Sequence, residues 1–216
     1  MKRAVFLLGL LALSICAGVC LWKAVTMPHA TGEVEGDIDV SQGPVFELCS
    51  EENPITCEKH YIRDDDYVYT LVPVASYKAS VVLASKIKHY HTDQLAVLVP
   101  VDFCVVWGTI VKPEYLQDLR FSQRGRGCRP AFKPGSPVAD IIGLHEYTNI
   151  HIIPATENVL KALNAIKENQ KIVLEGFLVD IYYEGEVLVT TSLSPTDDSC
   201  EIVYVTRVRI GNKIYE

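Results

Sequence analysis

Residues Asn149–Tyr204 read NIHIIPATENVLKALNAIKENQKIVLEGFLVDIYYEGEVLVTTSLSPTDDSCEIVY. A short apolar strand comes first. Thr156 then offers a hydroxyl to an orphan backbone N–H, and Glu157 suits the positive end of a helix dipole. Val159, Leu160, Leu163 and Ile166 recur at three- and four-residue spacing and make one apolar stripe. Lys167 falls in the last turn, and Asn169 is a left-handed stop. Such a helix needs a sheet to cover, and the sheet follows at once. Ile172–Tyr183 is rich in β-branched and aromatic residues. Glu184-Gly185 makes a turn into a second strand over Val187–Leu193, and a polar loop with one cysteine leads to a third.

Upstream, Tyr67, Tyr69, Leu71 and Pro73 alternate with Val68, Thr70 and Val72, as in a strand. Ala79–Ile87 is a second apolar strand. Leu95–Trp107 is a third, with Pro100 and Asp102 breaking its register. Between Thr109 and Gly143 glycine and proline are frequent, which predicts a long and potentially functional excursion. Its tip, or a short strand pair, spans Arg120–Phe132, and Arg120, Arg124, Arg126 and Arg129 read as a solvated cluster. The order is three strands, a long connection, one helix and three strands. It predicts a mainly β (α+β) fold, a small β-barrel or OB-like sheet with one amphipathic helix after the third strand. Such folds host many functions, so fold alone does not deliver one.

The chain has 216 residues and a net charge of −7, and 49% of it is hydrophobic. That supports a real core, and no basic stripe invites nucleic acid. Lys2 and Arg3 precede an uninterrupted apolar run from Ala4 to Trp22. At about 1.5 Å per residue this run nearly spans a hydrocarbon core of about 30 Å. The expected layout is a cytoplasmic tip (1–3), a transmembrane signal anchor (4–22), an acidic linker (23–66) and a periplasmic β-rich domain (67–216). The positive-inside rule sets that orientation, in the inner membrane of a bacterium with two membranes. A cleaved signal, giving a secreted protein, and a lipid anchor at Cys16 are the alternatives. Asp64-Asp65-Asp66 reads as a solvated turn ending the linker. Cys49 and Cys57 flank Pro54 in a polar segment and predict a local disulfide. Cys104, Cys128 and Cys200 cannot all pair with one another, and spacing does not say which is free.

Candidate chemistry is sparse. His89 and His91 form H-x-H, which on a strand places two imidazoles on one face. With His145, His151 and Glu146 they are candidate ligands for a divalent metal such as zinc, although no third ligand comes at metal-site spacing. Otherwise no cofactor is expected, since nucleotide-binding glycine motifs are missing. Asn149, His151, Ser192, Ser194, Thr196 and Asp197 form a candidate polar patch. The serines lack a nucleophile elbow and read as turn formers. Cys200 would need a lowered pKa and an adjacent base to act as a nucleophile, and reads instead as a core or disulfide cysteine at a strand start.

Four segments carry a resemblance: Y-x-Y-x-L-x-P at Tyr67–Pro73, V-D-F-C-x-x-W-G at Val101–Gly108, N-x-H-I-I-P-A at Asn149–Ala155, and S-L-S-x-T-D…C-E at Ser192–Glu201. In this order they resemble a family of bacterial membrane-anchored, periplasmic proteins with no assigned activity. Pro195 stands where that family more often has arginine, and the loop before Cys200 is shorter. The resemblance implies location and boundaries and adds no mechanism. Without a complete catalytic set the balance lies against an enzyme. The leading expectation is a membrane-anchored binding or assembly module with a protein partner in the envelope. The alternative is a periplasmic metal-dependent hydrolase using the histidines.

Overall fold

The computed structural model describes residues 26–50, 57–64, 67–90, 94–194 and 200–216. The expected anchor at 4–22, together with His91, Thr196 and Asp197, lies outside them. Among the described residues no helix is long and apolar enough to cross a membrane.

The fold is mainly β. Strands β1 (Gly32–Glu33), β2 (Val45–Leu48), β3 (His60–Asp64), β4 (Tyr67–Lys88) and β5 (Val101–Val106) come first. The hairpin β6 (Leu119–Arg124) and β7 (Gly127–Phe132) follows, then β8 (Tyr147–Pro154), β9 (Lys171–Tyr183), β10 (Glu186–Val189), β11 (Glu201–Ile210) and β12 (Lys213–Tyr215). All but the hairpin belong to one ten-stranded sheet, ordered β1-β12-β11-β8-β5-β4-β9-β10, with β2 and β3 added on β4 and a further β9–β11 pairing. The helix Glu157–Ala165 follows β8, as its sequence predicts.

Three expectations need correcting. The first two predicted strands are one strand of 22 residues. Pro73 does not end it; the register against β9 shifts between Pro73 and Ala75 instead, and such an irregularity tolerates a residue without an N–H. The third predicted strand begins late, since Gln94–Val97 is a 3-10 turn and β5 starts after Pro100. The acidic segment expected as a linker contributes β1, β2 and β3, and it buries Ile38 and Val40 beside Val106 and Ile110. Its acidic composition hid two core residues at period-two spacing. Gly43 has no side chain because the Trp107 indole occupies that space; a Cβ there would lie 2.8 Å from Nε1.

Both ends of the helix are satisfied. The Thr156 hydroxyl accepts from the Val159 N–H at 3.1 Å. At the other end Lys86 Nζ donates to the carbonyls of Leu163, Asn164 and Ile166, a cation at the negative end of the dipole. Val159, Ala162, Leu163 and Ile166 are buried with Leu83, Phe103, Ile150, Ile172 and Val203 in the largest core cluster. Leu160, expected in the stripe, is half-buried. Asn169 (φ 65°) is the left-handed stop, and Glu184 and Gly185 (φ 50° and 86°) make the turn into β10. Cys49–Cys57 is a disulfide as predicted, and Cys104 pairs with Cys128. Two disulfides are consistent with an oxidising, extracytoplasmic compartment.

Gly176 lies where β9 passes β11, and any Cβ there would fall on the Tyr204 carbonyl oxygen. Gly176→Ala is therefore expected to lower stability by about 1–3 kcal/mol through overpacking. Thr156→Ala should cost about 1 kcal/mol by loss of the cap. Urea unfolding followed by circular dichroism measures both.

Candidate active site

β5 and β8 pair antiparallel with Asp102 opposite His151 and Cys104 opposite Asn149. Strand side chains alternate, so these residues share one face. Val101, Phe103, Ile150 and Ile152 point the other way, into the main core. β11 runs parallel to β8 with Glu201 opposite Ile150. Cys200, the residue before β11, therefore arrives beside Asn149. The hairpin β6–β7 covers this face.

Asp102 is fully buried. Its Oδ2 lies 2.8 Å from His89 Nε2 and its Oδ1 lies 2.9 Å from His151 Nδ1. Arg126 Nη1 donates to Oδ1 at 3.3 Å. A carboxylate without water costs several kcal/mol unless it is paired and hydrogen-bonded. Here three cation-capable side chains meet it. The Asn149 amide Nδ2 donates to the Arg126 carbonyl at 3.0 Å and to Cys200 Sγ at 3.4 Å. Cys200 Sγ lies 3.9 Å from that same carbonyl. Asn149 Oδ1 is buried with no hydrogen-bond partner.

The His151 ring bonds Asp102, and Cys200 lies near enough to act on its charge. Burial pulls its pKa down, but hydrogen bonds to Asp102 and then to Cys200, with the charges of both, outweigh burial and hold the imidazole up at about 9. With Nδ1 committed to Asp102, Nε2 is the ring nitrogen left for the thiol. A thiol, an imidazole and an orienting carboxylate are the groups that together activate a nucleophilic cysteine. Among the described residues Cys200 is the cysteine outside a disulfide.

Of the predicted site residues, the structure gathers His89, His151 and Asn149. His89 and His151 each commit one ring nitrogen to Asp102. Among the described residues no group of three or more His, Cys, Asp or Glu side chains is arranged to hold a metal ion. His145, in the left-handed region at φ 53°, stacks on Tyr147 with ring centres 6.2 Å apart. Glu146 Oε2 accepts from the backbone N–H groups of Thr109 and Ile110, at 2.5 and 3.1 Å, and so holds the turn after β5. Ser192 is buried; its backbone N–H donates to the Cys200 carbonyl at 3.2 Å, and its hydroxyl donates to the Ser194 carbonyl at 2.9 Å. Ser192 thus helps to position the Cys200 main chain.

Sequence reasoning missed Asp102 and Arg126 and set Cys200 aside. One signal was present: a lone aspartate inside Val101-Asp102-Phe103-Cys104-Val105-Val106, where every other residue is apolar. A charge in such a run is either at an exposed edge or paired inside. Arg126 carried no signal, because its partner is distant in sequence.

The raised His151 pKa predicts how stability varies with pH. A group held above its unfolded value contributes stability that is complete below about 6.5, and that is lost as pH rises through about 9. Chemical denaturation between pH 6 and 9.5 is expected to show declining stability over that window. His151→Gln should flatten the decline.

No family model matches the chain, and no curated protein and no solved structure matches it either.

Proposed function

We propose that the chain is an extracytoplasmic thiol enzyme that transfers acyl groups through Cys200. The observation that carries this reading is that the registers of β5, β8 and β11 gather Asp102, His151 and, just before β11, Cys200 in one place. In the first half-reaction the proton shared by Cys200 and His151 sits on the imidazole, which is held up at about 9, and Asp102 stabilises that imidazolium. The sulfur attacks the carbonyl carbon of an ester or amide and forms a tetrahedral intermediate. That intermediate collapses as His151 returns the proton to the departing oxygen or nitrogen, leaving a thioester on Cys200. In the second half water or an amine attacks the thioester, with His151 as base, and the thiol is restored. Asp102 and His89 are positioning residues; Cys200 and His151 touch the reacting atoms.

The anchor at 4–22 and the periplasmic placement remain part of this proposal, supported by Lys2 and Arg3 ahead of the apolar run. So does the OB-like barrel, supported by the succession of pairings β4–β5, β5–β8, β8–β11, β11–β9 and β9–β4, with β8 and β11 parallel and the helix between β8 and β9. A second reading, a non-catalytic binding or assembly module in the envelope, is favoured by one observation. Tyr61, Val68 and Val187 are exposed on the joined hairpins β3–β4 and β9–β10, where an apolar face would suit a protein partner.

The test is the rate of Cys200 alkylation by iodoacetamide against pH, read by peptide mass, alongside turnover of thioester and activated-ester probes. His151→Gln should slow alkylation at pH 6.5 and reduce turnover by about 100-fold or more, as loss of a general base does. Asp102→Asn should shift the pH profile and leave the thiol in place. A Cys200 that reacts like a free thiol and ignores His151→Gln overturns the reading.

A further inference from the structure

The hairpin β6–β7 meets the sheet in two different ways along its length. At its root Leu119 is buried, and Phe121 packs on Tyr147 with ring centres 5.5 Å apart. At its tip the contacts are polar or covalent. The Gln123 amide accepts from the Ser85 hydroxyl at 3.0 Å and donates to the Asp102 carbonyl at 3.3 Å. Arg126 reaches Asp102, and Cys128, the cross-hairpin partner of Gln123, is bonded to Cys104. Cys104 stands two residues from Asp102 on the same face of β5, and Cys128 stands two residues from Arg126. The crosslink therefore holds in place the residue whose carbonyl lies against Asn149 Nδ2 and Cys200 Sγ.

We propose that the hairpin is a lid over Cys200, hinged at Leu119 and Phe121 and latched by the Cys104–Cys128 disulfide, and that a dithiol reductant opens it. This rests on the reading of Cys200 as the working thiol and adds its regulation. The step balances. A dithiol donor gives two electrons and two protons to the Cys104–Cys128 bond and leaves as a disulfide; two thiols remain here. Apart from the bond, the contacts described at the tip are hydrogen bonds and one ion pair. Segments held in this way open at low cost compared with a packed core. When the tip lifts, the Arg126 carbonyl leaves the sulfur, the guanidinium leaves Asp102, and the Asn149 amide is released beside the thiol. An acyl substrate then has a wider path to the half-buried Cys200 than the latched hairpin leaves. Reducing equivalents delivered to the domain would thus raise access to the site, against the background of an oxidising compartment.

The experiment uses the full chain, purified with its disulfides intact, and compares labelling of Cys200 by a bulky maleimide with labelling by iodoacetamide, again read by peptide mass. The forms compared are the wild type, the wild type after dithiothreitol under native conditions, the Cys104→Ser/Cys128→Ser double variant, and Arg126→Gln with the disulfide retained. Opening is expected to raise maleimide labelling of Cys200 by about tenfold or more in the reduced and double-variant proteins, because each labelling event no longer waits for rare local unfolding. Arg126→Gln should give a smaller rise, and iodoacetamide should show less contrast between forms than the maleimide. Circular dichroism checks that each form is folded; if the double variant is not, the reduced wild type and Arg126→Gln carry the comparison. Equal maleimide labelling in latched and unlatched forms, or slower labelling after reduction, overturns the lid. The two readings fail separately. If His151→Gln leaves Cys200 reactivity unchanged in every form, the thiol enzyme fails, whatever the hairpin does. If His151→Gln lowers it while reduction has no effect, the enzyme stands and the lid does not.

Discussion

A carboxylate with no exposed surface sits at the centre of this fold, and the groups around it follow from that fact. Asp102 occupies a position in β5 whose neighbours on both sides are core residues. An isolated charge there would cost far more than one side chain contributes to a domain's stability. His89 from the end of β4, His151 from β8 and Arg126 from the hairpin tip converge on its two oxygens. Removing one member leaves the others facing a buried and under-compensated charge, so the cluster constrains three elements at once. It also commits His151 Nδ1 to Asp102 and so fixes the orientation of the ring.

The coupling between site and scaffold runs through strand register. Asp102 and His151 meet because β5 and β8 pair in that register, and a one-residue slip would turn one of them into the core. Register is held by the apolar residues alternating with them, Val101, Phe103, Ile150 and Ile152, which pack under the helix. The polar face and the core are therefore two sides of the same strands. The long excursion after β5 is where the fold departs from economy: it returns as a hairpin laid over the polar face, with one disulfide and one arginine securing its tip.

Local features were legible. Thr156, Asn169 and Glu184-Gly185 do what their residue types predict, and the Cys49–Cys57 pair follows from closeness in the chain. The merging of two predicted strands into β4 was hidden, because Pro73 marks a break in isolation and only a register shift when a partner strand accommodates it. The acidic composition of 23–66 hid strands whose hydrogen bonds go to β4 and β12. The site was legible in part. His89, His151 and Asn149 stood out as polar residues near strands, yet the histidines suggested a metal and Asn149 only a polar patch. The carboxylate between the two imidazoles, which changes the chemistry, is separated from His151 by 49 residues.

By itself the sequence determined the mainly β character, the helix and its cap, the tight turn, one disulfide and a charge and cysteine usage that suit an extracytoplasmic domain. All of these depend on interactions within about one turn or one hairpin, or on composition. The tertiary structure alone decided which of Cys104, Cys128 and Cys200 stays free, which partners share Asp102, and that Arg126 lies beside the thiol rather than in solvent. Those are long-range pairings selected by burial. A buried charge must find its counterions wherever the packing of the whole chain places them, and no local pattern encodes that place.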